Sequence, residues 1–162
     1  MDPPSADSLT SGALAAAATA ALSLARERIG VRRTALFWLD GASGRLACVA
    51  TVAAEGVEGW LGQSLAGGVG MAWRAVKEGR PVWTPDLLAD PRVPVSAWLR
   101  ERMEAEGLRA VAAAPIRIGG AVRGALGFLD PSGRTFDGDG LGAIGRVADE
   151  VAGKLAAVAA AP

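Results

Sequence analysis

The sequence contains no histidine and only one cysteine, Cys48. Most zinc sites, Ser/His and Cys/His catalytic pairs and axial haem ligands need histidine, so these kinds of site are excluded before any motif is considered. A single cysteine cannot form an internal disulfide, and nothing here requires an oxidising compartment. Within its strand, Cys48 is expected to be a small buried hydrophobic residue. The composition therefore favours binding over bond-making, and we expect a protein that is not an enzyme and has no cofactor.

The chain also lacks an excess of either charge, since 17 Lys and Arg residues balance 17 Asp and Glu residues. This balance gives no general attraction toward nucleic acid. The most apolar stretch, from Gly12 to Ala25, is well short of the roughly 20 residues that span a bilayer. No Lys or Arg precedes it, as would be expected in a signal peptide. We therefore expect a cytoplasmic protein that binds neither nucleic acid nor membrane.

With 162 residues, 51% of them hydrophobic, the chain is large enough to bury a core and fits one domain. No internal repeat or linker divides it. Pro3 and Pro4 are typical of a loose end, so we expect a single domain over residues 8–158 preceded by a loose segment, residues 1–7. The mixed charges from Arg26 to Arg33 are typical of a solvated face.

Helix and hairpin patterns alternate along the chain. Neither predicted hairpin shows strict alternation of polar and apolar residues, and the interior from Ala110 to Ile116 carries no charge. Strands of this kind indicate a sheet that is covered on both faces. The predicted order begins with a helix capped by Asp7 or Ser8 and stopped by Gly30, a hairpin of residues 34–39 and 45–52, and a short helix from Gly68. It continues with a brief strand over 81–84, a helix from Ser96 to Gly107, a hairpin of 109–117 and 121–129, and a last helix from Asp137 or Asp139.

The last predicted helix carries an apolar series with heptad spacing. A series this short is compatible with an ordinary stripe facing the core of its own domain. It is equally the pattern of a seam that pairs with a second subunit, and it makes these residues the candidate homodimer interface. The residues are Leu141, Ile144, Ala148, Val151, Leu155 and Val158.

A set of short motifs follows in a characteristic order over roughly residues 8–158. They are Gly68-Val-Gly70, Gly79-Arg-Pro-Val82, Asp86, Asp90-Pro91-Arg92, Gly107-Leu108-Arg109, Ala114-Pro115-Ile116, Gly124-Ala-Leu126 and Phe136. In this order the sequence resembles a GAF domain, the small-molecule-binding module of sensor kinases, phosphodiesterases and regulators. The resemblance implies an α+β fold with a central antiparallel sheet. The N- and C-terminal helices would cover one face, and short helices and loops would cover a pocket on the other.

The sequence departs from the better-known branches of the family that it resembles. Members that bind a bilin use a Cys and a His near the helix over the pocket, and residues 86–107 contain neither. Members that bind haem offer a histidine, which this chain lacks. The cyclic-nucleotide members carry an Asn-Lys, Phe, Asp-Glu signature, of which only Phe136 is present. A bilin, haem or cyclic nucleotide is therefore unsupported.

Five tryptophans and no tyrosine form an unusual aromatic set. Trp60, Trp73, Trp83 and Trp98 fall in the segments expected around the pocket, where an indole can stack on a ligand and donate one hydrogen bond. They are equally suited to filling the second core. Asp86 and Arg109 are the ionisable residues best placed to orient a ligand. In the alternative interpretation, Asp86 forms a hydrogen bond that fixes a loop, and Arg109 is the solvated end of a strand.

These observations predict a sensory or regulatory domain that binds a small molecule and signals through paired terminal helices to an effector domain in a longer chain. One alternative is a dimerising spacer that has no ligand and whose pocket has closed. Another is an enzyme that resembles the free-methionine sulfoxide reductases. These share the fold but work through several cysteines, so a chain with one cysteine could not form the resolving internal disulfide.

Overall fold

The computed structural model describes residues 3–55 and 59–161. Six strands form one antiparallel sheet in the order β3-β2-β1-β6-β5-β4. The strands are β1 (Arg33–Leu39), β2 (Leu46–Ala53), β3 (Ser64–Leu65), β4 (Val82–Thr84), β5 (Ala110–Ile118) and β6 (Ala121–Asp130). The helices are α1 (Ala6–Leu9), α2 (Gly12–Ile29), α3 (Gly70–Glu78), α4 (Ala97–Glu106) and α5 (Asp139–Ala160), with a short 3-10 helix at Leu87–Ala89. The predicted α+β architecture is confirmed.

Both faces of the sheet are covered, as the strand composition predicts. Residues 110–116 of β5 are all buried. Ala112 and Ala114 belong to the core under α2 and α5, whereas Val111 and Ala113 belong to the core under α3, α4 and the 3-10 helix. This division follows from the two-residue period of a strand, which sends successive side chains to opposite faces. We call the second cover, formed by α3, α4 and the 3-10 helix, the α3/α4 layer.

The predicted helix ends at Gly30 and Gly107 are confirmed. Both residues adopt the left-handed conformation, with φ of 74° and 68°, and close helices α2 and α4. A side chain at either position would be strained, because residues with a Cβ rarely adopt this conformation. Ser96 also caps α4 as predicted, since its side chain accepts a hydrogen bond from the backbone of Leu99.

The start of the chain differs from the expected loose segment. Pro4 is buried, and its carbonyl accepts a 2.9 Å hydrogen bond from the indole nitrogen of Trp38. Ser5, rather than Asp7 or Ser8, caps the first helix through a reciprocal bond with Ser8. The single predicted first helix is therefore two helices, α1 and α2. Met1 and Asp2 lie outside the described residues.

The heptad series of α5 lies mainly inside its own domain. Ile144, Ala148, Val151 and Leu155 are buried in the core between α5, α2 and the sheet, while Leu141 and Val158 are partly buried. Because the four central side chains already pack on this chain, the assignment of the series as a homodimer interface is wrong for them. The alternative interpretation, a stripe facing the core, accounts for the pattern.

Helices α2 and α5 are the longest elements of the structure. Helix α2 begins near the N-terminal end of the described chain, and α5 ends near its C-terminal end. The two helices pack on each other on the same face of the sheet. Neither they nor any other described helix has the length and apolar character needed to cross a membrane.

Candidate functional site

A small apolar cavity lies between the sheet and the α3/α4 layer, where the resemblance predicts a pocket. Its volume is only about 20 Å³. A space of this size accepts little more than one water molecule, and an apolar lining does not hold water in place. This central cavity is therefore almost closed in the present conformation. Its lining residues are Phe37, Trp60, Leu65, Gly70, Met71, Ala72, Leu87, Leu99, Val111, Ala113, Gly127 and Leu129.

Trp60 is the predicted ligand residue that lines the central cavity. Its side chain is fully buried, and its indole nitrogen donates a 2.5 Å hydrogen bond to Oε2 of Glu106. The guanidinium carbon of Arg33 lies 4.7 Å from the centre of the indole, close enough for a cation–π interaction. Trp98 meets the Trp60 ring edge to face at 5.5 Å. Trp60 is thus fixed on several sides and forms part of the core.

Trp73 and Trp98 are half-buried at the outer side of the same core and do not line the central cavity. The indole nitrogen of Trp98 donates a 3.0 Å hydrogen bond to the carbonyl of Gly59. The Trp73 ring lies close to the backbone of Gly67 and Gly68. Both tryptophans therefore hold loops against the α3/α4 layer in this conformation.

Trp83 lies on the opposite face of the sheet from the predicted pocket. It packs with the core under α2 and α5, and its ring meets Phe136 edge to face at 6.4 Å. The assignment of Trp83 as a residue of the pocket is wrong. In the three-residue strand β4 its neighbour Val82 faces the α3/α4 layer, so strand alternation sends Trp83 to the other side.

Asp86 and Arg109 meet at the edge of the sheet and do not reach the central cavity. The Asp86 carboxylate accepts hydrogen bonds from the backbone of Leu88 and Ala89, at 3.1 and 3.3 Å, and caps the 3-10 helix. A guanidinium nitrogen of Arg109 lies 3.9 Å from the same carboxylate, and both side chains are more than a third exposed. Neither residue lines the central cavity in this conformation, and the alternative of a loop-fixing bond describes Asp86.

Asp90 fixes the neighbouring loop, as the Asp-Pro-Arg motif suggests. Its carboxylate accepts a 2.8 Å hydrogen bond from the Thr84 hydroxyl and two from the guanidinium of Arg92. The pKa of Asp90 is well below its usual value, mainly because the carboxylate accepts these hydrogen bonds from Arg92. This ion pair shapes the loop between β4 and α4.

A second and larger cavity lies at the start of β1 and the end of β2, beside α4. Its volume is about 550 Å³, and it opens to solvent. We call it the arginine cavity. Its lining residues are Arg32, Arg33, Ala53, Ala54, Glu55, Arg102, Ala105 and Glu106.

A buried ionic network forms the wall between the two cavities. Arg33 is only 2% exposed, and its Nε donates a 2.8 Å hydrogen bond to Oε1 of Glu106. Its Nη1 donates to the hydroxyl of Thr51, also at 2.8 Å. Because Glu106 also accepts the hydrogen bond from Trp60, one carboxylate connects the lining of the arginine cavity with the lining of the central cavity.

Sequence reasoning missed the arginine cavity, because Arg32 and Arg33 continue a run of charges that is typical of a solvated face. The available signal was the position of Arg33 directly before the apolar segment from Thr34 to Leu39, which places it inside the strand. A charged residue within a buried strand needs a partner of opposite charge. That partner, Glu106, is distant in sequence.

Cys48 is buried in β2, in agreement with the prediction. Burial raises the pKa of its thiol to about 12. The thiol is therefore protonated near neutral pH, and the thiolate that would act as a nucleophile is scarce.

Several solved structures share this fold over most of their length. The second GAF domain of DevS from Mycobacterium smegmatis superposes with a TM-score of 0.69 at 18% identity, covering 90% of this chain and 94% of that one. The GAF domain of a phosphoenolpyruvate-protein phosphotransferase from Coxiella burnetii gives 0.69 at 19% identity, with 96% and 84% covered. A type II free methionine-R-sulfoxide reductase from Thermoplasma acidophilum gives 0.65 at 17% identity, with 85% and 88% covered. At these identities the likeness concerns the fold.

No curated protein is significantly similar to the chain. The model of the GAF domain family, in contrast, matches residues 13–155, which include the whole sheet and helices α3 and α4. The match agrees with the order of motifs and with the covered antiparallel sheet described above. This chain belongs to the GAF domain family.

Proposed function

We propose that this chain is a cytoplasmic sensory or regulatory domain, which relays a change in the α3/α4 layer through helices α2 and α5 to an effector domain in a longer chain. The observation that carries the proposal is the division of the fold. The cover that holds the cavities is separated by the sheet from the cover that contains both terminal helices. A change in one cover can therefore reach the other through the strands that both share.

The first candidate for the signal is a small molecule that enters the central cavity. With about 20 Å³ available, such a ligand must bind a conformation in which residues such as Met71 and Leu99 have moved apart. A ligand that prefers this open conformation shifts the population toward it, and this differential affinity is what a relay requires. In this proposal Trp60 is the tryptophan that the ligand contacts.

The second candidate is a domain without a ligand, acting as a dimerising spacer. The closed and apolar central cavity is the specific observation that favours it. In this case the large side chains that line the cavity serve only stability, and the relay depends on the terminal helices.

In either case we propose that a second copy docks on the outer side of α2 and α5. The buried part of the heptad series is not accessible, so the contact would use exposed positions. Leu24 is 50% exposed and lies with the exposed Arg28 and Lys154 beside a shallow groove of about 140 Å³ between the two helices. Sedimentation equilibrium at tens of micromolar tests this arrangement, and a monomer would contradict it.

We further propose that the domain does not act as a methionine sulfoxide reductase. Its one thiol is buried and protonated, and no second cysteine exists to form an internal disulfide with it. An assay with free methionine sulfoxide and a thiol reductant should show no turnover. Turnover that disappears in Cys48→Ser would overturn this proposal.

The two candidates are separated by a thermal-shift screen of small metabolites, because a ligand that binds the folded state raises the melting temperature. The matched variant is Gly127→Ala. A Cβ at Gly127, which lines the central cavity, would make ordinary contacts of 3.7 Å or more and would occupy part of the space. The control is Gly41→Ala, in an exposed turn where a Cβ meets nothing within 4 Å.

A ligand of the central cavity should bind the wild type and Gly41→Ala equally and bind Gly127→Ala more weakly. It should also change amide hydrogen exchange in α5, since the relay ends there. A screen in which no compound stabilises the wild type would favour the spacer. Binding without any change in α5 would contradict the relay.

A further inference from the structure

The arginine cavity has the size and the charged groups of a binding site, although no sequence motif marks it. We propose that it binds a small anion carrying a phosphate or carboxylate group. This inference goes beyond the proposed function, because anion binding at this place can be measured whether or not the domain regulates an effector. Its site is also separate from the central cavity, with Trp60 and Glu106 between them.

The charges of the described lining residues do not cancel. Three arginines and two glutamates are among them. Arg33 and Glu106 form a close ion pair, and both oxygens of Glu106 already accept hydrogen bonds, from Arg33 and from Trp60. The remaining charged groups of the described lining are Arg32, Arg102 and the exposed Glu55, which together carry one net positive charge.

Arg102 supplies the clearest unmet demand for an acceptor. Its Nε is buried and has no hydrogen-bond partner among the described residues. The nearest carboxylate oxygen, Oε2 of Glu106, is 3.9 Å away, which is beyond hydrogen-bond distance. The side chain as a whole is 29% exposed, so part of it is open to a ligand although Nε itself is covered. A buried donor without a partner is costly, and a shift of the side chain toward an anion in the cavity would give it an acceptor.

Arg102 also packs against the loop at Gly59. Its guanidinium lies so close to the backbone of Gly59 that a Cβ there would be only 2.7 Å from Nη1. Glycine at position 59 thus leaves room for the arginine beside the cavity.

Arg32 brings a second positive charge to the described lining of the cavity. Its Nη1 donates a 2.8 Å hydrogen bond to the backbone carbonyl of Glu106, which ends α4. It forms no ion pair with a described carboxylate. The carbonyl orients the guanidinium but leaves its charge and its other donors available.

Together these features define the class of ligand. Guanidinium groups offer paired donors whose spacing matches the oxygens of a phosphate or a carboxylate. The volume of about 550 Å³ falls within the range of metabolite sites. A neutral apolar molecule would gain little here, because charged side chains make up most of the lining.

The test measures binding of pyrophosphate and of citrate by isothermal titration calorimetry at constant ionic strength. The variant is Arg102→Gln, which removes the charge but keeps a side chain of similar length. The control is Arg100→Gln on the same helix, whose arginine is 48% exposed and is not part of the cavity. We expect Arg102→Gln to lose about tenfold or more in affinity, since a charge-assisted hydrogen bond disappears, and Arg100→Gln to keep the wild-type affinity.

Binding of pyrophosphate alone assigns the phosphate group, and binding of citrate alone assigns the carboxylate group. Absence of binding of both probes at millimolar concentration would overturn the proposal. Equal losses in Arg102→Gln and Arg100→Gln would also overturn it, because they would indicate general attraction to positive charge. If Arg102→Gln does not fold, Arg32→Gln replaces it with the same expected loss.

A second readout locates the ligand. The indole N–H signal of Trp60 should shift on titration, because its acceptor Glu106 lines the arginine cavity. The corresponding signal of Trp83, on the other face of the sheet, should stay in place. Shifts of Trp83 without shifts of Trp60 would place the anion elsewhere. Unchanged binding in Gly127→Ala would show that this site does not depend on the central cavity.

Discussion

Replacing Glu106 by alanine tests whether the ionic network holds the α3/α4 layer to the sheet. Glu106 is 20% exposed, and its carboxylate accepts hydrogen bonds from Arg33 and Trp60, both of which are almost fully buried. In Glu106→Ala the indole N–H of Trp60 loses its acceptor, and Arg33 loses its ion pair with Glu106. Breaking a buried ion pair from one side costs roughly 3–5 kcal/mol when it is fully buried.

Partial exposure reduces this cost, because water can enter beside Arg33 and Thr51 still accepts one of its hydrogen bonds. We therefore expect Glu106→Ala to lower the free energy of unfolding by about 2–4 kcal/mol. In a domain of this size each kcal/mol corresponds to roughly 2–4 °C in melting temperature. Glu106→Gln should lie between the wild type and alanine, since the amide oxygen can still accept a hydrogen bond.

The matched control is Glu104→Ala, two residues earlier on α4. Its side chain is 52% exposed and only approaches Arg100, at 3.9 Å. Removing such a surface ion pair should change the free energy of unfolding by less than about 0.5 kcal/mol. Urea unfolding followed by tryptophan fluorescence measures both variants. Equal midpoints for Glu106→Ala and Glu104→Ala would refute the argument that this carboxylate fixes the layer.

Two further predictions concern the apolar core and the loop after β4. Leu99→Ala should enlarge the central cavity and lower the free energy of unfolding by about 2–5 kcal/mol. Benzene should then raise the melting temperature of this variant, but not that of Leu24→Ala, whose leucine is exposed; equal responses would contradict the assignment. Because the pKa of Asp90 is lowered in the folded state, its stabilising contribution should be present above about pH 4 and be lost as the pH falls further. Melting curves of the wild type and Asp90→Asn should thus converge in acid, and a constant difference would exclude this linkage.

The order of elements could be predicted because its signals are local. Gly30 and Gly107 end helices through a conformation that depends on the residue itself, and Ser96 caps α4 through a hydrogen bond with the backbone of Leu99, three residues further on. The apolar interior from Ala110 to Ile116 indicated cover on both faces, and the motifs from Gly68 to Phe136 indicated the family. Each of these inferences needs only neighbouring residues and the period of a strand or helix.

The site could not be predicted to the same extent, because it depends on which face each side chain occupies. A shift of one position in the three-residue strand β4 would have brought Trp83 to the α3/α4 layer. The strand is too short for its sequence to show which side chains face which side of the sheet. The heptad series of α5 likewise has the same spacing whether it meets a second subunit or its own sheet. The structure shows that Ile144 and Leu155 meet the core of their own chain.

The sequence by itself determined the family and most of the elements, though not the break between α1 and α2, since caps, glycines and periodicity act over a few residues. Only the tertiary structure decided that the central cavity is almost closed and that a charged cavity lies beside it. Arg33 and Glu106 are 73 positions apart, and nothing in the local sequence of either indicates the other. Burial strengthens the attraction between the two charges and makes the loss of either one costly, and burial is a property of the packed chain rather than of any segment of it.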